Sequence, residues 1–392
     1  MNRLQFIKLL FQCVFVFNCM LLYGFLMRNN PKQARELHAR KTATNVCYLP
    51  ADKNKRTRIE DLLWMAAPQY ETSNKNPCFY ETCKTNETRT KFRCLPYFHL
   101  LGVDKCGSTD LFLRLLEHPH ILGNDGSLNK ETMWWSWRRY GLWLSRYQHP
   151  RESFGDYLNY FDGAAANISS NNKLVTGDGT PMDFWDFTGW KNIKQNHRLN
   201  HPKILTPHLM HHMNPKVKLI IIVRDPTSRL YSDYMFLKLG QTRTSKGFHD
   251  AVQFSITFLK YCMKRRTLES CLYDRKHIAM YKARIHVGFY AVYLKEWLKV
   301  FPKEQILFLK TEDYAENIKG TLKQIFKFLQ LEELSEIDLD RIVKIEKAYK
   351  TTLKKKQGPM HKRTKDLLNK FYKPYNEDLV HLLNNSRFMW DT

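Results

Sequence analysis

The stretch Phe98–Pro119, FHLLGVDKCGSTDLFLRLLEHP, carries the reading of the fold. FHLLGV is an apolar run of strand length, DKCGST a glycine-marked turn, and DLFLRLLEHP sets Leu111, Leu113, Leu115 and Leu116 near helical spacing. Strand, loop and helix in that order aim free backbone N–H groups and the positive end of a helix dipole at one point, which makes an anion site. A nucleotide-triphosphate P-loop has Lys directly after its second glycine, followed by Ser or Thr. Here Ser108 takes that place, Thr109 follows, and the lysine comes earlier, at Lys105. A lysine inside such a loop can reach a phosphate and the atom joining it to a leaving group, while the Ser108 and Thr109 hydroxyls reach the same phosphate. An ordinary glycine turn with an exposed lysine is the plainer alternative.

The same grammar returns at Val217–Val223, VKLIIIV, a continuous apolar strand suited to a sheet covered on both faces. RDPTSRLYSDYMFLKLG follows, with Pro226 placed where a helix can begin. Arg224 would end the strand and Ser232 lie two turns into the helix, so that both face one crevice at the carboxyl edge of the sheet. Arg offers a forked, permanently charged phosphate contact and Ser a neutral one. A capping Asp225 beside a surface arginine would explain the residues equally. A third strand is expected at Gln305–Leu309, after an aromatic-rich amphipathic helix from about Gly288 to Phe301. Strands alternating with helices indicate an α/β fold with a mainly parallel sheet. Two phosphate sites on one sheet suggest a donor with separated phosphates, such as 3′-phosphoadenosine 5′-phosphosulfate.

The whole chain has 392 residues, 43% of them apolar and 14% aromatic, which excludes wholesale disorder. Its formal charge of +25 calls for a polyanion: nucleic acid, an anionic membrane surface or an acidic polysaccharide. Leu9–Met27 is uncharged between Lys8 and Arg28, long enough to span a bilayer, and lacks the small-residue cleavage site of a signal peptide. An uncleaved signal anchor is expected. Sequons at Asn86, Asn167 and Asn384 fit a lumenal chain. Cys47, Cys78, Cys83 and Cys94 crowd together, Cys262 and Cys271 close a short loop, and neither set has zinc-ligand spacing, so disulfides in an oxidising lumen are expected. Cys106 is left over as a free thiol, and nucleic acid is disfavoured as a partner. His211 and His212 are adjacent without partners at ligand spacing, and no metal is expected. The resulting division is a cytoplasmic tail (1–8), the anchor (9–27), a polar stem (28–93) and a catalytic domain (94–392).

Together GVDKCGSTDL, NKETMWW, VRDPTSRLYSDY and KFYKPYNEDLVHLLNNSRFMW resemble the membrane-anchored carbohydrate sulfotransferases, from about Cys94 onward. PCFYET, KETMWWSWRRYG and VGFYAVYLKEWLKVF are similar in kind and order to the branch that adds a 6-O-sulfate to N-acetylgalactosamine 4-sulfate. The resemblance implies a P-loop-like three-layer α/β fold with a central, mainly parallel sheet. It implies that Lys105, Cys106, Gly107, Ser108 and Thr109 hold the 5′-phosphosulfate, and that Arg224 and Ser232 hold the 3′-phosphate. Glu131, in Asn129-Lys130-Glu131, would take the proton of the acceptor hydroxyl, while Lys105 offsets charge on the leaving phosphate. Lys355, Lys356 and Gly358, within the basic stretch 341–370, would border the donor. Lys130, Trp134, Trp135, Arg138 and Arg139 would meet the acceptor, sugar faces on the indoles and sulfates on the guanidiniums, with core packing as the competing explanation for the tryptophans. Heparan-modifying relatives usually have Lys where this chain has Gly179, so the expected acceptor is a sulfated glycosaminoglycan of the chondroitin or dermatan type. The expected setting is the Golgi membrane, type II, with the catalytic domain lumenal; oligomeric state, including a homodimer, is left open. Heparan sulfate or unsulfated galactosamine as acceptor, and a non-catalytic glycosaminoglycan-binding protein, are the rival readings.

Overall fold

The computed structural model describes residues 59–84, 88–142, 151–237, 243–348 and 358–390. The expected anchor 9–27, Cys47, Asn86, Lys355 and Lys356 lie outside these residues. Among the described residues no helix is long and apolar enough to cross a membrane.

Among the described residues, seven strands form two sheets. β1 (Cys78–Lys84) and β2 (Thr88–Cys94) make an antiparallel hairpin. β3 (Phe98–Leu100), β4 (Ile121–Leu122), β5 (Val175–Asp178), β6 (Lys218–Val223) and β7 (Ile306–Lys310) form a sheet of order β4-β5-β3-β6-β7 in which every neighbouring pair is parallel. β6 lies inside the sheet, between β3 and β7, and its apolar run Leu219–Val223 is wholly buried, the pattern of a strand covered on both faces. All five strands therefore present their carboxyl ends at one edge, where the expected phosphate loops emerge. The strand–loop–helix reading of Phe98–Pro119 holds, with helix α1 spanning Ser108–Leu115. Helix α2 begins at Pro226 and runs to Phe236, capped by Asp225, whose carboxylate accepts from the N–H groups of Thr227 and Ser228. The aromatic helix α3 spans Tyr290–Leu298.

The boundary expected at residue 94 moves toward the N-terminus. Leu62, Phe79 and Leu95 share the main core with β3 and β6. Glu60 accepts from Phe154 N–H at 2.5 Å, and Asp61 from the Gln195 amide at 2.8 Å. Arg93, 1% exposed, is ion-paired with Glu81 at 2.8 Å across the hairpin. The hairpin and residues 59–76 thus pack into the same core, and polar composition misled because Leu62 is buried alone and the next buried run, residues 76–79, is only four residues long. Disulfides join Cys78 to Cys94, across the hairpin ends, and Cys262 to Cys271. Cys106 is free and buried, and burial pushes its thiol up to about 12, which keeps it protonated and inert.

Candidate active site

The loop after β3 carries the first phosphate-binding candidates. Lys105 and Gly107 both have positive φ, 66° and 84°, and Ser108 opens α1. Asp104 anchors the loop from beneath, accepting from Trp185 Nε1 at 2.8 Å and pairing with Arg284 at 3.3 Å. Lys105 is half-buried, its ammonium 3.7 Å from the centre of the Phe236 ring. Burial lowers its affinity for its proton, opposed by the carboxylates of Asp233 and Asp104.

At the end of β6, Arg224 and Ser232 stand on the turn and on α2 as expected, Ser232 being buried. What joins the two subsites escaped sequence reasoning. Arg284 binds Asp233 through Nε at 2.8 Å and Nη2 at 2.5 Å, and also pairs with Asp104. It therefore links the loop of Lys105 to the helix of Ser232. Burial works against its charge, but Asp233 and Asp104 outweigh it and hold the guanidinium charged. Asp233 is kept ionised despite its burial by Arg284 and Arg229. Thr311, just after β7, is a second tie: its hydroxyl lies 2.7 Å from the Cys106 carbonyl and 2.9 Å from that of Val223.

Glu131 sits in a tight loop, with its N–H and carbonyl both paired to Ser127. Leu128, Asn129 and Met133 have φ of 57°, 53° and 55°, a concentration of left-handed non-glycine residues that marks a conformation held by its surroundings. Gly126 permits it, since a β-carbon there would lie 2.5 Å from the Glu131 carbonyl oxygen. The loop docks on the end of β5. Gly179 N–H donates to the Lys130 carbonyl at 2.8 Å, and Thr132 Oγ1 to Asp178 at 2.6 Å. Asp178 also accepts from the Thr180 hydroxyl at 2.7 Å and the Tyr157 hydroxyl at 3.3 Å. Behind it lie His99 and Asp183, the three side chains having ligand atoms within 4.8 Å of one another, all buried. Burial pushes His99 down to about 4, against the pull of Asp178, and with Asp178 drives the Asp183 carboxyl well above its usual range. A neutral imidazole and a neutral acid thus back the one carboxylate that holds the Glu131 loop.

Several expected acceptor contacts are corrected. Lys130 is 0% exposed, its ammonium 2.5 Å from Glu131 Oε1, so it faces that carboxylate and not solvent. Trp134 and Trp135 are 1% and 2% exposed and pack on Tyr157. Arg139 is buried against the Trp134, Trp135 and Tyr140 rings. The turn at residues 133–141 folds this aromatic run inward, because rings of this size are worth more in a core than at a surface. Arg138 alone stays half-exposed, paired with Glu152 at 2.8 Å and the Tyr160 hydroxyl at 2.8 Å. Asn167 and Asn384 are both exposed.

The basic stretch is anchored on each side of residues 349–357. On one side Ala348 N–H donates to Asp110 of α1 at 3.0 Å, and Arg114 of α1 binds the Ile345 carbonyl at 2.7 Å. On the other, Gly358 has φ of 74° and its carbonyl accepts from Tyr231 of α2 at 2.8 Å; Ser245 donates to the Pro359 carbonyl at 2.8 Å. Both anchors reach the helices that carry Ser108 and Ser232.

A parallel sheet with a modified phosphate loop after β3, an Arg–Ser pair after its neighbour β6 and a carboxylate loop docked at the end of β5 is the arrangement of a sulfotransferase. The chain belongs to the sulfotransferase domain family, whose sequence profile matches residues 79–370. It is similar to carbohydrate sulfotransferase 15 of Mus musculus, 35% identical over 316 residues, and to the Homo sapiens protein of that name, 34% identical over 316 residues. Each alignment takes in 77% of this chain and 56% of the relative, so the chain spans little more than half the length of either. Among solved structures, a sulfotransferase from Alicyclobacillus acidocaldarius is 20% identical, with a TM-score of 0.46, over 75% of this chain and 98% of that one.

Proposed function

We propose that this protein transfers sulfate from 3′-phosphoadenosine 5′-phosphosulfate to the 6-hydroxyl of N-acetylgalactosamine 4-sulfate in chondroitin or dermatan sulfate. The observation that carries the reading is the joining by Arg284 of the Lys105 loop to the helix of Ser232, with a carboxylate loop docked on the same sheet edge. The site is fitted to such a donor: the loop from Lys105 to Thr109 would take the phosphosulfate end, Arg224 and Ser232 the 3′-phosphate, and Gly358 the flank of the second subsite. Lys105, with charge but little hydration, is suited to a phosphate that gains negative charge as it leaves.

In the proposed step the acceptor oxygen bonds to sulfur as the bond from sulfur to the bridging phosphate oxygen breaks, and the acceptor proton passes to Glu131. Lys130 occupies Oε1 of that carboxylate, leaving Oε2 to take the proton. The acceptor class is supported by the similarity to carbohydrate sulfotransferase 15 and by the charge of +25, which suits a sulfated polymer. Residues 9–27 would anchor the chain in the Golgi membrane with the catalytic domain in the lumen, a setting in keeping with the two disulfides. The test is incubation with radiolabelled donor and a panel of desulfated, 4-sulfated and heparan-type glycosaminoglycans, followed by disaccharide mapping. Label in 4,6-disulfated galactosamine is expected; label confined to heparan products would reject the acceptor, and none at all would favour a binding protein.

A further inference from the structure

A second basic concavity lies away from the donor loops. It is a cleft of about 500 Å³ with Lys191 and His201 on one wall and Arg265, Arg266, Thr267 and Ser270 on the other. The second wall belongs to a loop closed by the Cys262–Cys271 disulfide, nine residues apart, which limits the loop's freedom before any ligand arrives. The one carboxylate in the lining, Asp274, is already engaged by Arg266 at 2.9 Å and by the N–H groups of Lys276 and His277. Lys191 and Arg265 lie against rings: the Lys191 ammonium 5.5 Å from the centre of Trp190, the Arg265 guanidinium 5.5 Å from that of Tyr261, which is 57% exposed. Two cations with hydroxyls between them, one beside the exposed ring of Tyr261 and the other beside the buried ring of Trp190, suit a sugar bearing a sulfate.

The cleft also has a fixed relation to the reaction centre. Trp185 bonds to Asp104 in the donor loop, and Lys191 follows six residues later, so the two are within about 20 Å of each other along the chain. Between them Phe187 packs edge-on to Tyr273, just beyond the disulfide loop. That span is within reach of a polymer of a few repeating units.

We propose that this cleft is a second binding site for a sulfated polysaccharide, holding the chain at a distance from the sugar that reacts. The proposal rests on the glycosaminoglycan acceptor class inferred above. Its test uses the full chain, a Lys191→Ala/Arg265→Ala variant, and a Lys303→Ala/Lys327→Ala control with the same change in charge. Affinity for immobilised chondroitin 4-sulfate is measured directly, alongside sulfate incorporation into the polymer and into a tetrasaccharide. The cleft variant should lose about tenfold in polymer affinity, equivalent to about 1.4 kcal/mol, and keep its rate on the tetrasaccharide and its affinity for 3′,5′-bisphosphate. The control should match the wild type. Unchanged polymer affinity, an equal loss in the control, or an equal loss on the tetrasaccharide would overturn the proposal. Failure of the wild type to sulfate any glycosaminoglycan would count against the transfer reaction alone, because the binding comparison still decides the cleft.

Discussion

The stem of Lys130 lies across the α-carbon of Gly179: a β-carbon at position 179 would stand 2.5 Å from Lys130 Cγ and 2.7 Å from Phe112 Cδ2. The glycine is what lets the carboxylate loop close onto β5, and the lysine that fills the space carries its ammonium to Glu131.

Gly179→Ala should therefore push the loop off the strand. Overpacking of this kind costs about 1–3 kcal/mol, measurable by denaturant unfolding. Adding Lys130→Ala should recover only part of that stability, since the Phe112 ring still stands against the new methyl group, and should not recover activity, because Glu131 then loses the partner that fixes it. Equal stability of Gly179→Ala and wild type would show that the stem moves aside freely.

Glu131→Gln keeps shape and removes the proposed base. Sulfate transfer should fall about 10²- to 10⁴-fold, the usual yield of general base catalysis, while calorimetry finds the 3′,5′-bisphosphate bound as before. Full turnover in this variant would take Glu131 out of the reaction.

Arg284→Ala leaves the buried Asp233 with Arg229 as its remaining cation and the half-buried Asp104 with the Trp185 N–H alone. Breaking a buried ion pair from one side costs about 3–5 kcal/mol, so the melting temperature should drop and bisphosphate binding weaken together. Arg284→Lys should recover only part of both, since a single ammonium cannot reproduce the two contacts to Asp233.

His99 gives the domain a pH dependence of definite sign. Its folded value of about 4 lies below the ordinary 6.5, so the unfolded chain binds the proton more readily. The associated stability is complete above 6.5 and is lost as pH falls from there through 4, by about 3 kcal/mol in all. In His99→Gln the slope of stability against pH over that window should be shallower than in wild type when unfolding is followed from pH 7 to 4. Parallel slopes would mean that His99 is not buried neutral.

The fold was legible where neighbours in sequence make the element. The runs at Phe98 and Val217, the turn at Lys105 and the proline opening α2 are local, and their strands and helices stand where the spacing puts them. β4 has only two residues and β5 four, too short for any period to register. Arg284 meets Asp104 across most of the domain's length, and nothing in its own neighbourhood distinguishes it from the chain's other arginines. Trp134 and Trp135 show a different limit: an aromatic run beside arginines reads the same whether it faces a sugar or a core, and only the packing of Tyr157 onto them decides.

The Thr311 hydroxyl, shared between the carbonyls of Cys106 and Val223, makes the two donor loops mechanically one part. Under the proposed donor placement, a group bound in either loop would stiffen the other, and binding energy gathered at the 3′-phosphate would help to align the sulfur at the far end of the donor. Under the proposed chemistry, a donor trimmed of that phosphate would be slow as well as weakly held, its missing group felt most at the moment of transfer.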